Sequence, residues 1–249
     1  MPVAIIRRVL VLAWLLIKEQ LKEPVALFWM IVSPAAMYYF LVYFRGCDFT
    51  LEVAYIERAS WFYAYIASSV AFFGFSFYIV GRRESGFVRS FIYTTEAKLI
   101  FMLAQFLSYS LISLVYCSVF YALTYFSFDS FDSFDSEFLL VLARFYLCYV
   151  LFSILGLLLS FLPMSFQNAN AVYSILSFVM LVFGVLSVHG KHSVIGLINI
   201  FNPLSIANNV MTGEFEDITI LVGGVLSLFV VVFLLSLRFL RINPVWSRY

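Results

Sequence analysis

The sequence predicts an all-α integral membrane protein with six transmembrane helices and an N-terminal interfacial amphipathic helix. Three observations predict it. Of 249 residues, 64% are hydrophobic and 12% charged, against roughly 45–50% and 25% in soluble domains, and the mean hydropathy is +1.01. The apolar runs, about 18 to 28 residues long, match the roughly 20 residues an α-helix needs to cross the hydrocarbon. Finally, runs such as Ala171 to Val188 are apolar on both faces, whereas a β-barrel alternates in polarity over stretches of about ten residues. Backbone polar groups in lipid must be satisfied internally, so the spans are helices.

In chain order, residues 6–23 place Arg7, Arg8, Lys18, Glu19, Lys22 and Glu23 on one half of a helical wheel, with Leu10, Leu12, Ala13, Leu16 and Ile17 largely opposite. That is the pattern of a helix lying in the interface. Arg7 and Arg8 ahead of an apolar run imitate a signal peptide, but Lys22 and Glu23 stand where small cleavage-site residues belong. The segment is therefore read as retained, and Pro24 breaks it so that the chain turns into the first span. Spans are expected over about 25–44, 59–80, 99–126, 138–162, 171–188 and 220–240. The loops between them are too short to be separate soluble domains, which leaves a single transmembrane domain over 1–249.

Orientation follows from Lys and Arg, which collect in cytoplasmic loops. With the N-terminus inside, Arg7, Arg8, Lys18, Lys22, Arg82, Arg83, Arg89, Lys98, Arg238, Arg241 and Arg248 face the cytoplasm, eleven against Arg45, Arg58 and Lys191 outside. This predicts a multi-pass protein of the cell membrane, the inner membrane of a bacterium or a plasma membrane, with both termini cytoplasmic. Arg144 falls inside the fourth span, and its long stem can carry the charge toward the outer interface. The overall charge of +1 points to no nucleic acid or acidic partner, and the apolar spans make membrane lipids the expected surroundings.

Aromatic residues, 20% of the chain, gather toward the outer halves of spans. Two readings fit: an interfacial belt, or an outer vestibule lined by Tyr38, Tyr39 and Tyr43, with Arg144, along which an amphipathic molecule slides. The Phe-Asp-Ser triplets over 128–136 form a low-complexity outer loop. Chemistry is sparse. His189 and His192 lack the spacing of a zinc motif, Gly184 to Lys191 departs from a phosphate-binding loop, and Cys47, Cys117 and Cys148 form no framework. No catalytic, cofactor-binding or metal site is predicted. The inner loop 81–98 stands out, because Phe87, Val88, Phe91 and Ile92 recur at helical spacing between basic flanks, a pattern suited to docking in another protein's groove.

This layout resembles the membrane subunit of a type-2 ATP-binding cassette (ABC) exporter. The residues that carry the resemblance are Lys22-Glu23-Pro24 with Trp29 and Pro34 entering the first span, Arg83-Glu84-Ser85-Gly86 with Thr94-Thr95 in the inner loop, and Asn202-Pro203-Leu204 before the last span. The resemblance implies that the inner loop is the helix that couples to an ATPase, with Arg82, Arg83, Glu84, Gly86, Phe87 and Phe91 as its site residues. It implies that Asn202, Pro203 and Leu204 belong to an outer gate of paired short helices dipping in from outside. Where such loops carry Pro after the Thr, Glu96 follows Thr95 here. It also implies partners: two ABC ATPase subunits that hold ATP and Mg, and a second copy of this permease or a related one. The function so implied is export of an amphipathic drug, peptide, lipid or lipid-linked glycan, this chain being a transport subunit and no enzyme. The alternative is a secondary transporter driven by an ion gradient. It needs buried ionisable relays, and acidic residues are absent from the expected spans.

Overall fold

Span two is the axis about which the other helices are arranged, and its composition explains why. In the computed structural model, which describes residues 2–44, 55–92, 94–125, 134–189, 201–213 and 218–239, every regular element among the described residues is helical. Helix α1 covers Pro2–Gln20 and α2 covers Pro24–Phe44. Span two is a continuous 30-residue rod from Tyr55 to Glu84, made of α3 (Tyr55–Ser69), a π-helical segment (Val70–Ser76) and α4 (Phe77–Glu84). The short α5 (Phe87–Phe91) follows, then α6 (Thr95–Tyr125), α7 (Phe134–Ser160) and α8 (Phe166–His189). Last come α9 (Pro203–Thr212) and α10 (Ile218–Phe239).

Five helices among the described residues are long and apolar enough to cross a membrane, namely Tyr55–Glu84, Thr95–Tyr125 and the apolar stretches of α7, α8 and α10. The remaining expected span, α2, is a 21-residue helix with Pro34 inside it, and its apolar part is the shorter Phe28–Leu41. The expected loop 45–58 is therefore shorter than read, since α3 already begins at Tyr55, and α6 starts at Thr95 rather than 99. Residues 126–133, most of the triplet run, lie outside the described residues, as do Cys47 and His192.

Lipid is as apolar as leucine, so helices in a membrane associate through close packing, which small residues permit. Ala59, Ala64, Ala67 and Ala71 along span two are all fully buried, and α2, α6, α7, α8 and α9 pack around that rod. At Gly74 an added methyl would sit 2.6 Å from the Tyr109 ring of α6. At Gly156 of α7 it would sit 2.9 Å from Ser76. The π segment winds more loosely than an α-helix, and Ser76 at its end ties it to two neighbours. Its hydroxyl donates to the Gly156 carbonyl over 2.5 Å and shares a hydrogen bond with the Tyr173 hydroxyl of α8. By contrast, the span windows of α8 and α10 are only 17% and 22% buried, which makes them the outer helices, apolar enough to face lipid.

Helix α1 packs on α6 through Val9, Ala13 and Leu16, which close on Ala104. A second apolar face, Ile6, Leu10, Val11, Trp14 and Leu15, stays exposed. The helical wheel expected from the sequence is corrected on this point, because Leu10 and Leu16 do not share one face.

Candidate functional site

Arg83 stands where the end expected to face the cytoplasm brings together span two, α7 and α8. Its side chain is 1% exposed, and a buried guanidinium is stable only if its fork of donors is filled. Its Nη1 donates to the Ser160 and Leu162 carbonyls at 3.0 and 3.2 Å, and Nη2 to the Met164 carbonyl at 2.6 Å. Nε donates to Glu84 Oε1 at 3.0 Å. These carbonyls belong to the turn between α7 and α8, so one side chain joins two inner loops that are about 80 residues apart. The sequence reading grouped Arg83 with Arg82 among the site residues of the coupling helix. The structure turns it inward, because consecutive residues on a helix point about 100° apart.

Arg82 does face outward. It forms an ion pair with Glu19 at the end of α1, donates to the Tyr78 hydroxyl, and lies 4.7 Å from the centroid of the Phe87 ring. Gly86 makes the turn into α5 with φ +77°, a left-handed conformation that costs glycine little. In α5 the predicted stripe divides. Val88 and Ile92, one helical turn apart, are buried in the main core, whereas Phe87 is half-buried and Arg89 and Ser90 are exposed. The backbone of Phe91 closes the helix, and its side chain lies outside the described residues.

On the outer side, α9 starts deep in the molecule. Asn202 caps it: its Oδ1 accepts from the Leu204 amide at 3.1 Å while Nδ2 donates to the Met180 carbonyl at 2.9 Å. Pro203 sits at the first turn, where its missing N–H costs nothing. Met180 precedes the end of α8 at His189 by nine residues, about 13 Å of helical rise. The chain has therefore returned inward before α9 begins. Gly213 ends it with φ +82°, and Arg144 Nη1 donates to the Met211 carbonyl at 2.9 Å, a cation on the negative end of a helix. The other half of the expected pair of short helices, residues 190–200, lies outside the described residues.

The four residues proposed to line an outer vestibule do not share one surface. Tyr38 is 2% exposed and packs edge-on against Phe62 and Phe120, so it belongs to the core. Tyr39, 40% exposed, donates to the Leu123 carbonyl, Tyr43 is 85% exposed, and Arg144 caps α9.

Sequence reasoning missed a cavity of about 510 Å³ at the inner end. Phe73, Phe77 and Tyr78 of span two, Tyr109 and Tyr116 of α6, Met30 of α2 and Phe166 of α8 form its walls, and Glu19 and Glu23 stand at its mouth.

No protein-family model matches the chain. It is 27% identical to Protein McbE of Escherichia coli over 238 residues, 95% of this chain and 97% of that protein, so the similarity runs almost end to end.

Proposed function

We propose that this chain is the membrane-spanning permease subunit of an ABC exporter. It forms the pathway for an amphipathic substrate, and ATP is hydrolysed on separate ATPase subunits. In this reading α2 is the sixth crossing: its 21 residues rise about 31 Å, close to the hydrocarbon thickness of about 30 Å. Helix α1 lies along the inner surface of the cell membrane, its exposed apolar face in lipid, and both termini are cytoplasmic. Two ATPases holding ATP and Mg, with a second copy of this permease or a related one, complete the transporter. Asn202, Pro203 and Leu204 start the outer gate.

The observation that carries the reading is how α5 is held. A helix that merely rested on lipid would turn its apolar stripe to the membrane, whereas α5 roots Val88 and Ile92 in the protein's own core. That leaves Phe87, Arg89 and Ser90 presented on a rigid mount, the form a docking element needs to transmit force. The ion-gradient alternative loses the one charge that the sequence put well inside a span, since Arg144 is engaged with the carbonyl end of α9.

Replacing Phe87 and Phe91 together with Ala tests the proposal. The wild-type chain, co-expressed with its ATPase, should co-purify with it and export. The double variant should insert normally and lose the ATPase, because buried aromatic anchors often carry 2 kcal/mol or more of an interface. A variant with Phe128 and Phe131 replaced by Ala is the matched control. Wild-type assembly and export by the inner double variant would refute the coupling role.

A further inference from the structure

The cavity at the inner end has a chemistry of its own. Aromatic rings supply most of its apolar side chains, namely Phe73, Phe77, Tyr78, Tyr109, Tyr116 and Phe166, with Met30, Val70 and Ile112. Its volume of about 510 Å³ falls within the roughly 300–1,000 Å³ of small-molecule sites. Aromatic faces carry negative charge and attract cations held over them. The charges at the mouth favour the same sign. Arg82, which would repel a cation, is matched by its ion pair with Glu19. Glu23, on the turn between α1 and α2, lines the cavity and makes no ion pair among the described residues. One uncompensated carboxylate is left at the entrance of an aromatic chamber.

The cavity is also reached from the right place. Glu19, Gln20 and Glu23 lie where α1 gives way to α2, and Met30 and Ile112 line deeper levels of α2 and α6. It is therefore a groove leading from the level of the headgroups into the apolar interior. An amphipathic molecule partitioned into the inner leaflet would present its apolar body to the walls and its polar end to the mouth.

We infer that this groove binds an amphipathic cation, with the apolar body between Phe73 and Tyr109 and the positive group against Glu23. The inference rests on the exporter reading for the role of the site, as the place where cargo is first held, and names the charge class of that cargo.

The test separates the two. The full chain, without ATPase, is placed in phosphatidylcholine nanodiscs, and binding of radiolabelled tetraphenylphosphonium is measured against empty discs. Tetraphenylborate, nearly the same shape with the opposite charge, is the competitor. Saturable phosphonium binding is expected, with no displacement by the borate. Glu23→Gln is expected to weaken it about tenfold, Glu23→Asp to retain most of it, and Phe73→Ala to weaken it through the wall. Glu23 is exposed, so its variants fold. No saturable binding, equal competition by the borate, or unchanged affinity in Glu23→Gln would overturn the inference. So would displacement of the phosphonium by phosphatidylethanolamine in the disc, which would assign the groove to lipid. Because no ATPase is present, cation binding that survives while the chain fails to recruit an ATPase would remove the exporter reading and leave the site. The reverse result would remove the site alone.

Discussion

A rotation of about 100° between consecutive residues sends Arg82 to the surface, against Glu19, and Arg83 into the interior, against three carbonyls. The two arginines look interchangeable in the sequence, and only the helix phase tells them apart. The motif Glu84-Ser85-Gly86 made the turn and α5 legible, because a glycine is required where φ is positive. It carried no information about the partner of Arg83, which lies in another loop. Removing Arg83 leaves carbonyls of the α7–α8 turn without donors, so Arg83→Ala should cost roughly 2–3 kcal/mol. Arg83→Lys should recover part of that, since an ammonium lacks the planar fork. Arg82→Ala, which breaks an exposed pair, should cost less than about 1 kcal/mol. Unfolding midpoints in detergent read all three, and equal effects at the two positions would contradict the inward placement.

At the scale of elements, helix existence was readable from the length of apolar runs, whereas helix winding was not. Nothing in Val70-Ala71-Phe72-Phe73-Gly74-Phe75-Ser76 announces a π segment, which arises from how Ser76, Gly156 and Tyr173 meet. The wheel drawn for residues 6–23 failed for a related reason. Helix α1 is apolar on two sides, one against α6 and one open, so a single hydrophobic face does not describe it. Helix α9 is held at both ends, by Asn202 at its start and Arg144 at its finish. Loss of an N-cap costs about 1 kcal/mol, so Asn202→Ala and Arg144→Ala should each raise amide exchange over Pro203–Thr212. If α9 opens as one unit, each variant should raise exchange along its whole length and the two free-energy costs should sum in the double variant. Effects confined to the altered end would mean that its two ends fray independently.

For the whole molecule, the hydropathy runs contained most of the helical architecture, because the bilayer imposes a length on any helix that crosses it. The inner cavity was hidden, since it is assembled from α1, α2, span two, α6 and α8, and no local pattern relates Glu23 to Tyr109 or Phe166. From the charge count of eleven against three, the loop 81–98 is expected inside and the loop 127–137 outside. In a background with its three cysteines replaced, a cysteine at Ser90 should resist a membrane-impermeant thiol reagent in whole cells, and one at Ser133 should react. Reversed labelling would invert every assignment of side.

The bonds of Arg83 and Ser76 have a mechanical meaning. Arg83 fastens the inner end of span two to the turn joining spans four and five, and Ser76, two turns further in, fastens it to the same two spans again. Two rivets prevent rotation where one would allow it, so the inner halves of these spans form a single stiff plate with α5 mounted on its rim. On the proposed coupling role, a torque delivered at α5 would tilt this plate as a body. The upper part of span two, α3, packs against α9, so on that proposal the same tilt would displace the short capped helix at the far end of span two.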